Sequence, residues 1–318
     1  MRLSVFTRVL DLELNPRSYG TINGYAKLFQ GAVQLMFDAT DYETVKYCPW
    51  CESKNQEIWG KKVRGFLSIQ CRNCDLIYVK NRLNQSGLLK YYKEYLSSIH
   101  QADSMKNDQR KMMYELEFEM INKHASGTDV LDVGCSGGYF LNYFNKKRYE
   151  CFGVDIGEEA AKEAEKKYKV WKADFAQAKI NRKFDLIVFR GVIEHVAYPK
   201  VYLERAADCL NRNGLIFITS TPNAKALCCR LFKEKWNQHS PKAHLMHFSA
   251  NHFDEWFSSS GFKKIDQHHF YEETSYANPK DDILKVAKAI HLEKNGKEID
   301  FISPPFYGNM LSLIYRKT

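Results

Sequence analysis

The stretch Val130–Phe140, VLDVGCSGGYF, decides how this chain is read. An apolar run carrying Asp132 gives way to Gly134, Ser136, Gly137 and Gly138 before aromatics resume. Tiny residues directly after a strand let a ligand come close to the main chain. Outward from that turn, apolar segments alternate with helical ones: a helix to Lys147, CFGVDI, a helix to Tyr168, VWKADF, FDLIVFRG, a helix to Leu210 and GLIFITST. That alternation predicts a parallel sheet covered by helices on both faces. Two late strands, FKKIDQHHFY and GNMLSLIYRK, are expected to flank a helix near Asp281 to Leu292.

The ligand can be narrowed by chemistry. A nicotinamide dinucleotide calls for G-x-G-x-x-G, and G-C-S-G-G lacks that spacing. Asp132 would repel a phosphate but can pair with an ammonium group. Asp155 ends the second strand 23 residues later, where a carboxylate can accept both ribose hydroxyls, or can simply cap the next helix. Asp174 and Phe175 end the third strand, placed for an adenine edge and face or for an ordinary turn. Arg190 and Gly191 end the fourth, where Arg190 suits either an acceptor anion or an ion pair. Together these groups suit an adenosine that carries a cationic amino acid and no phosphate.

Here, from about residue 125 to 318, the chain resembles the class I SAM-dependent methyltransferases. VLDVGCSGG is similar to their first motif, GVDI to the second, ADF to the third and FDLIVFRGVIEHV to the fourth. The family more often carries glycine where this chain has Ser136. RNGLIFITSTPN and HLMHFSANHFDEWFSSSGF extend the likeness to the subgroup acting on small molecules such as quinone precursors and sugars. The resemblance implies a Rossmann-like, seven-stranded, doubly wound α/β sheet binding S-adenosylmethionine. Its first motif implies cofactor contacts at Asp132, Gly134, Cys135, Gly137 and Gly138. The later motifs add Asp155, Ile156, Asp174, Phe175 and Arg190.

A second motif lies upstream. Cys48, Cys51, Cys71 and Cys74 form two C-x2-C pairs nineteen residues apart, with a β-rich stretch between them. Four thiolates on two tight turns predict a zinc ribbon, and a filled S4 shell makes that zinc structural. The expected organisation is a helical segment 1–44, the ribbon 45–85, a helical linker 86–124 and a methyltransferase domain 125–318. Within the first segment, Tyr25, Leu28, Phe29, Ala32, Val33, Met36 and Phe37 predict an amphipathic helix near 22–38. Many proteins similar to the small-molecule subgroup follow such a ribbon with a tyrosine-rich helix, matched here by Tyr91, Tyr92 and Tyr95.

Function then turns on the acceptor. The sulfonium methyl is already activated, so the protein must position the acceptor and exclude water. A hydroxyl acceptor also needs a base, for which His195, His244 and His247 are the candidates. The favoured reading is an enzyme methylating a hydroxyl on a sugar, nucleotide-sugar, lipid or secondary metabolite, with Arg190 leaving an anionic acceptor open. The alternative is an RNA methyltransferase whose ribbon and net charge of +9 grip nucleic acid. Against that alternative, no NPPY-type signature occurs and the cations are dispersed. A SAM-binding adaptor without catalysis is a third class, opposed by the intact DVGCSGG and Asp155. Arg8, Asp11 and Glu13 interrupt any export signal, no apolar run spans a membrane, and nine cysteines point to a reducing cytoplasm.

Overall fold

The computed structural model describes residues 37–99, 104–147 and 149–318. The helix expected near 22–38 lies outside these residues except at its end. There Phe37 and Asp38 are not helical, and Asp38 instead caps a short 3-10 turn, Ala39–Asp41.

The first strands are short: β1 (Tyr42–Thr44), β2 (Gln56–Ile58), β3 (Ser68–Cys71), β4 (Ile77–Val79) and β5 (Asn81–Leu83). Two helices follow, α1 (Gln85–Ile99) and α2 (Ser104–Asn122). The remaining strands are β6 (Asp129–Val133), β7 (Glu150–Asp155), β8 (Lys169–Lys172), β9 (Phe184–Arg190), β10 (Leu210–Pro222), β11 (Met246–His247), β12 (Phe262–His268) and β13 (Met310–Lys317). Seven of them form one sheet in the order β12-β13-β10-β9-β6-β7-β8. From β10 to β8 the pairs are parallel, while β13 runs antiparallel between β10 and β12. The seven-stranded, doubly wound expectation therefore holds, with β13 inserted as a reversed strand.

The inner strands explain their own placement. β6 and β9 are buried almost throughout because helices cover both faces, so they read as continuous apolar runs. Between β7 and β8 runs α4 (Glu158–Glu165), preceded in the chain by α3 (Leu141–Asn145). Glu158 and Glu159 in the first turn of α4 complement the partial positive charge of its amino end.

The ribbon is joined to this body in two ways. β4 pairs antiparallel with β11, a strand from far along the chain, giving a four-stranded sheet β11-β4-β3-β2. One apolar cluster also runs from Cys48, Trp50, Ile69 and Tyr78 into Leu131, Ile187 and Phe189 of the large sheet. Likewise α2 packs Phe118 and Ile121 against Leu141 and Phe144, so its end is part of the core of the large sheet. No helix among the described residues is long and apolar enough to cross a membrane.

Candidate functional site

The parallel strands end together. Val133 stands beside Val154 and Phe189, and Arg190 beside Thr219, so the residues just past them share one edge. Gly134 leaves β6 at φ +71°, where a Cβ would sit 2.6 Å from Val192 Cγ2. Its N–H donates to the Val154 carbonyl at 2.8 Å and the residue is exposed. Ser136 follows at φ +48°, in the left-handed region where a side chain is costly. The Ser136 N–H donates to Asp155 Oδ2 at 2.8 Å, and the Gly157 N–H donates to Oδ1 at 2.7 Å. Asp155 thus ties the turn after β6 to the start of α4, and its oxygens keep further lone pairs.

Asp132 is 3% exposed, and its carboxylate accepts no hydrogen bond from the described residues. Burial pushes its pKa up to about 8, against the lowering influence of nearby Arg190. A buried carboxylate with no donor is costly unless a cation meets it. Gly138, also left-handed at φ +75°, is buried against Tyr168, while Gly137 is half-buried beside Tyr139. Cys135 turns its thiol under the sheet against Gly153, so a ligand would meet its main chain only. Ile156 is half-buried past Asp155. Asp174 accepts from the Tyr202 hydroxyl at 2.7 Å and from Gln85 Nε2 at 3.1 Å. The Phe175 ring is buried against Phe189 and Tyr202.

Arg190 is an ion pair here. Its Nε donates to Glu117 Oε2 at 2.5 Å, and its guanidinium lies 4.4 Å from the centre of the Tyr114 ring. Burial disfavours its charge, but Glu117 more than restores it. Glu117, fully buried on α2, also accepts from Thr219 Oγ1 at 3.0 Å and Ser220 Oγ at 2.6 Å. Nothing in the ELEFEM context marks that glutamate as different from its neighbours.

On the other side of β9 the histidines gather. His195 Nδ1 lies 3.0 Å from the Ala243 carbonyl and 2.9 Å from the Tyr92 hydroxyl. His244 Nδ1 lies 2.7 Å from the Gln238 carbonyl. A carbonyl only accepts, so both Nδ1 atoms carry the proton and both Nε2 atoms present a lone pair. Glu194 Oε1 stands 3.8 Å from His195 Nε2. Burial drives Glu194 up to about 8 and His195 well below the ordinary histidine range, with His244 adding to the latter. One atom each of Glu194, His195 and His244 lies within 4.8 Å of the others, a grouping that could also hold a divalent cation. His247 is buried behind them, its Nε2 2.9 Å from Nδ1 of His239, a residue the sequence did not single out. Tyr92 stood out only as part of a tyrosine run.

The four ribbon cysteines do close together. Sγ of Cys48 is 3.6 Å from that of Cys74, and Sγ of Cys51 is 3.5 Å from that of Cys71. A tetrahedron with zinc–sulfur bonds of ~2.3 Å has edges of about 3.8 Å. Both turns are built alike. Glu52 and Asp75, each one residue past a pair, are left-handed at φ 60° and 64°, and their N–H groups return to the Cys48 and Cys71 carbonyls at 2.9 Å. The group could hold one zinc with no position left for a reactive water.

Comparisons with known proteins agree with this geometry. A family model described as a methyltransferase domain matches residues 99–267. A ubiquinone biosynthesis O-methyltransferase of Nitrosospira multiformis is 26% identical over 128 residues, 36% of this chain and 54% of that protein. One from Nitrosococcus oceani is 29% identical over 126 residues, 34% of this chain and 52% of that protein. This chain thus spans about half the length of the curated relatives it matches. Among solved structures, a SAM-dependent methyltransferase of Thermotoga maritima superposes with a TM-score of 0.50 at 14% identity, covering 73% of this chain and 100% of that one. A buried carboxylate beside a glycine-paved turn suits the cationic nucleoside that such proteins use. The chain therefore belongs to the methyltransferase-domain family, with the class I SAM-dependent fold.

Proposed function

We propose that the protein transfers the methyl group of S-adenosylmethionine to a hydroxyl of a small molecule, with His195 Nε2 removing the hydroxyl proton. The observation that carries this reading is the commitment of His195 Nδ1 to the Ala243 carbonyl, which leaves Nε2 as a free lone pair. Burial keeps the ring neutral, so the base is ready without a prior deprotonation. Glu194 Oε1 lies 3.8 Å away, beside the position that proton would take. His244 presents a second lone pair, which favours an acceptor with two neighbouring hydroxyls over one with a lone hydroxyl. The bound cofactor supplies an electrophilic methyl on sulfur. Asp132 would hold its ammonium and Asp155 its ribose hydroxyls, while the turn at Gly134, which has no side chain, would let it approach the main chain closely.

The O-methyl transfer named for the relatives supports oxygen as the acceptor atom. A panel of dihydroxyphenols, sugars and nucleotide-sugars incubated with methyl-labelled cofactor tests the reading. A new O–CH3 product is expected, formed at least ~100-fold more slowly by His195→Ala. Label recovered on nitrogen or carbon would overturn the hydroxyl.

A further inference from the structure

The segment that carries the histidines is held from two sides. The Leu245 and Met246 N–H groups donate to the Glu194 carbonyl at 2.9 and 3.2 Å. From the opposite side, the Val79 N–H donates to the Leu245 carbonyl at 2.9 Å, and Met246–His247 pairs with Ile77–Tyr78. β4 begins three residues after Cys74 and pairs with β3, which ends on Cys71. Side chains make a second link. The Trp59 ring lies 4.9 Å from that of His239 and 6.2 Å from that of His247, and Ser68 Oγ is 3.4 Å from His239 Nε2.

We propose that the four-cysteine ribbon is a positioning device for the acceptor site, and not only a stabilising appendage. The thiolate turns set β3 and β4, β4 sets Leu245 to His247, and that segment delivers His244 and the Ala243 carbonyl. That carbonyl in turn selects the proton position on His195. The ribbon's metal is thus coupled to which nitrogen of His195 faces the acceptor. A backbone ladder transmits position efficiently, because slipping it by one residue would reverse every side chain on β11. At the turn after β6 the bonds stay local: Gly134 donates to the Val154 carbonyl, and Asp155 accepts from the Ser136 and Gly157 amides.

The inference rests on the proposed function only for the word acceptor; the coupling itself is a statement about ring geometry. The full chain, labelled with 15N in its histidines and saturated with S-adenosylhomocysteine, is compared with and without a strong zinc chelator. On chelation, the His195 and His244 ring nitrogens should change from the pattern of a single Nδ1–H tautomer to an averaged one. Affinity for S-adenosylhomocysteine should stay within about threefold. An unchanged ring pattern in zinc-free protein overturns the proposal. If chelation also abolishes cofactor binding, Trp59→Leu decides, since it keeps all four cysteines. With zinc retained, it should shift the His239, His247 and His244 ring signals, and unmoved signals overturn the coupling. Should chelation shift the rings while His195→Ala keeps full turnover, the base assignment fails and the coupling stands.

Discussion

At the end of β6 the protein makes a site out of main chain, and beyond β9 it makes one out of side chains. The proposed cofactor edge uses two short turns, after β6 and after β7, braced by one carboxylate that bonds two amides. Its left-handed residues, Gly134, Ser136 and Gly138, lie within five positions of each other. The proposed acceptor face gathers Tyr92, Glu194, His195, Ala243 and His244 from three distant stretches, and borrows a strand of the ribbon to hold them. The first arrangement tolerates change elsewhere in the molecule. The second depends on how three packed units meet, so it should fail when any of them shifts.

The largest expected effect lies where the two regions join, at Arg190. Glu117→Ala would leave that guanidinium half-enclosed without its ion-pair partner, and take an acceptor from Thr219 and from Ser220. Breaking a buried pair from one side costs roughly 3–5 kcal/mol, which urea unfolding would read directly. A loss below about 1 kcal/mol would mean that the two regions are not tied through this pair.

The next two changes should separate the regions cleanly. His195→Ala should lower kcat by ~100-fold or more while affinity for S-adenosylhomocysteine stays near that of the unaltered protein. Asp155→Ala should do the converse. Losing charge-assisted hydrogen bonds of roughly 1.5–3 kcal/mol weakens cofactor binding by about ten- to a hundredfold, while turnover at saturating cofactor changes little. Calorimetry and single-turnover rates on the same preparations would show whether the effects segregate. If both variants lose both properties, the division into two sites is wrong.

The smallest effect is one of pH. In the free protein burial keeps the proton on Asp132 up to about pH 8, and a cationic ammonium group pairs only with the ionised form. Cofactor binding must then release that proton. Affinity should therefore rise with pH, by up to ~10-fold per unit, and level off above about 8. Titrations in buffers of different ionisation heat would detect the released proton. A flat profile would place the ammonium elsewhere.

How much of this was legible in the chain follows from the same contrast. The sheet, its order of helices and strands, the glycine turn and the cysteine pairs are local patterns. Apolar period, small residues after a strand and C-x2-C spacing each state their structure within a few residues, because the physics that enforces them acts over a few residues. Ser136 shows the limit even there. Its identity suggests nothing left-handed, yet the amide it must present to Asp155 holds it at φ +48°.

Tertiary structure alone decided the rest. Glu117 reads as one more helical glutamate until the fold buries it against Arg190. His195, His244 and His247 are all candidate bases in the sequence, but only packing turns His247 inward toward His239 and gives His195 a carbonyl that fixes its proton. The ribbon reads as a separate unit, and only the pairing of β4 with β11 joins it to the segment that carries His244 and His247. Most of these contacts join residues 48 or more positions apart. No local propensity encodes them, since each partner's conformation is satisfied without the other until hydrophobic burial brings the layers together.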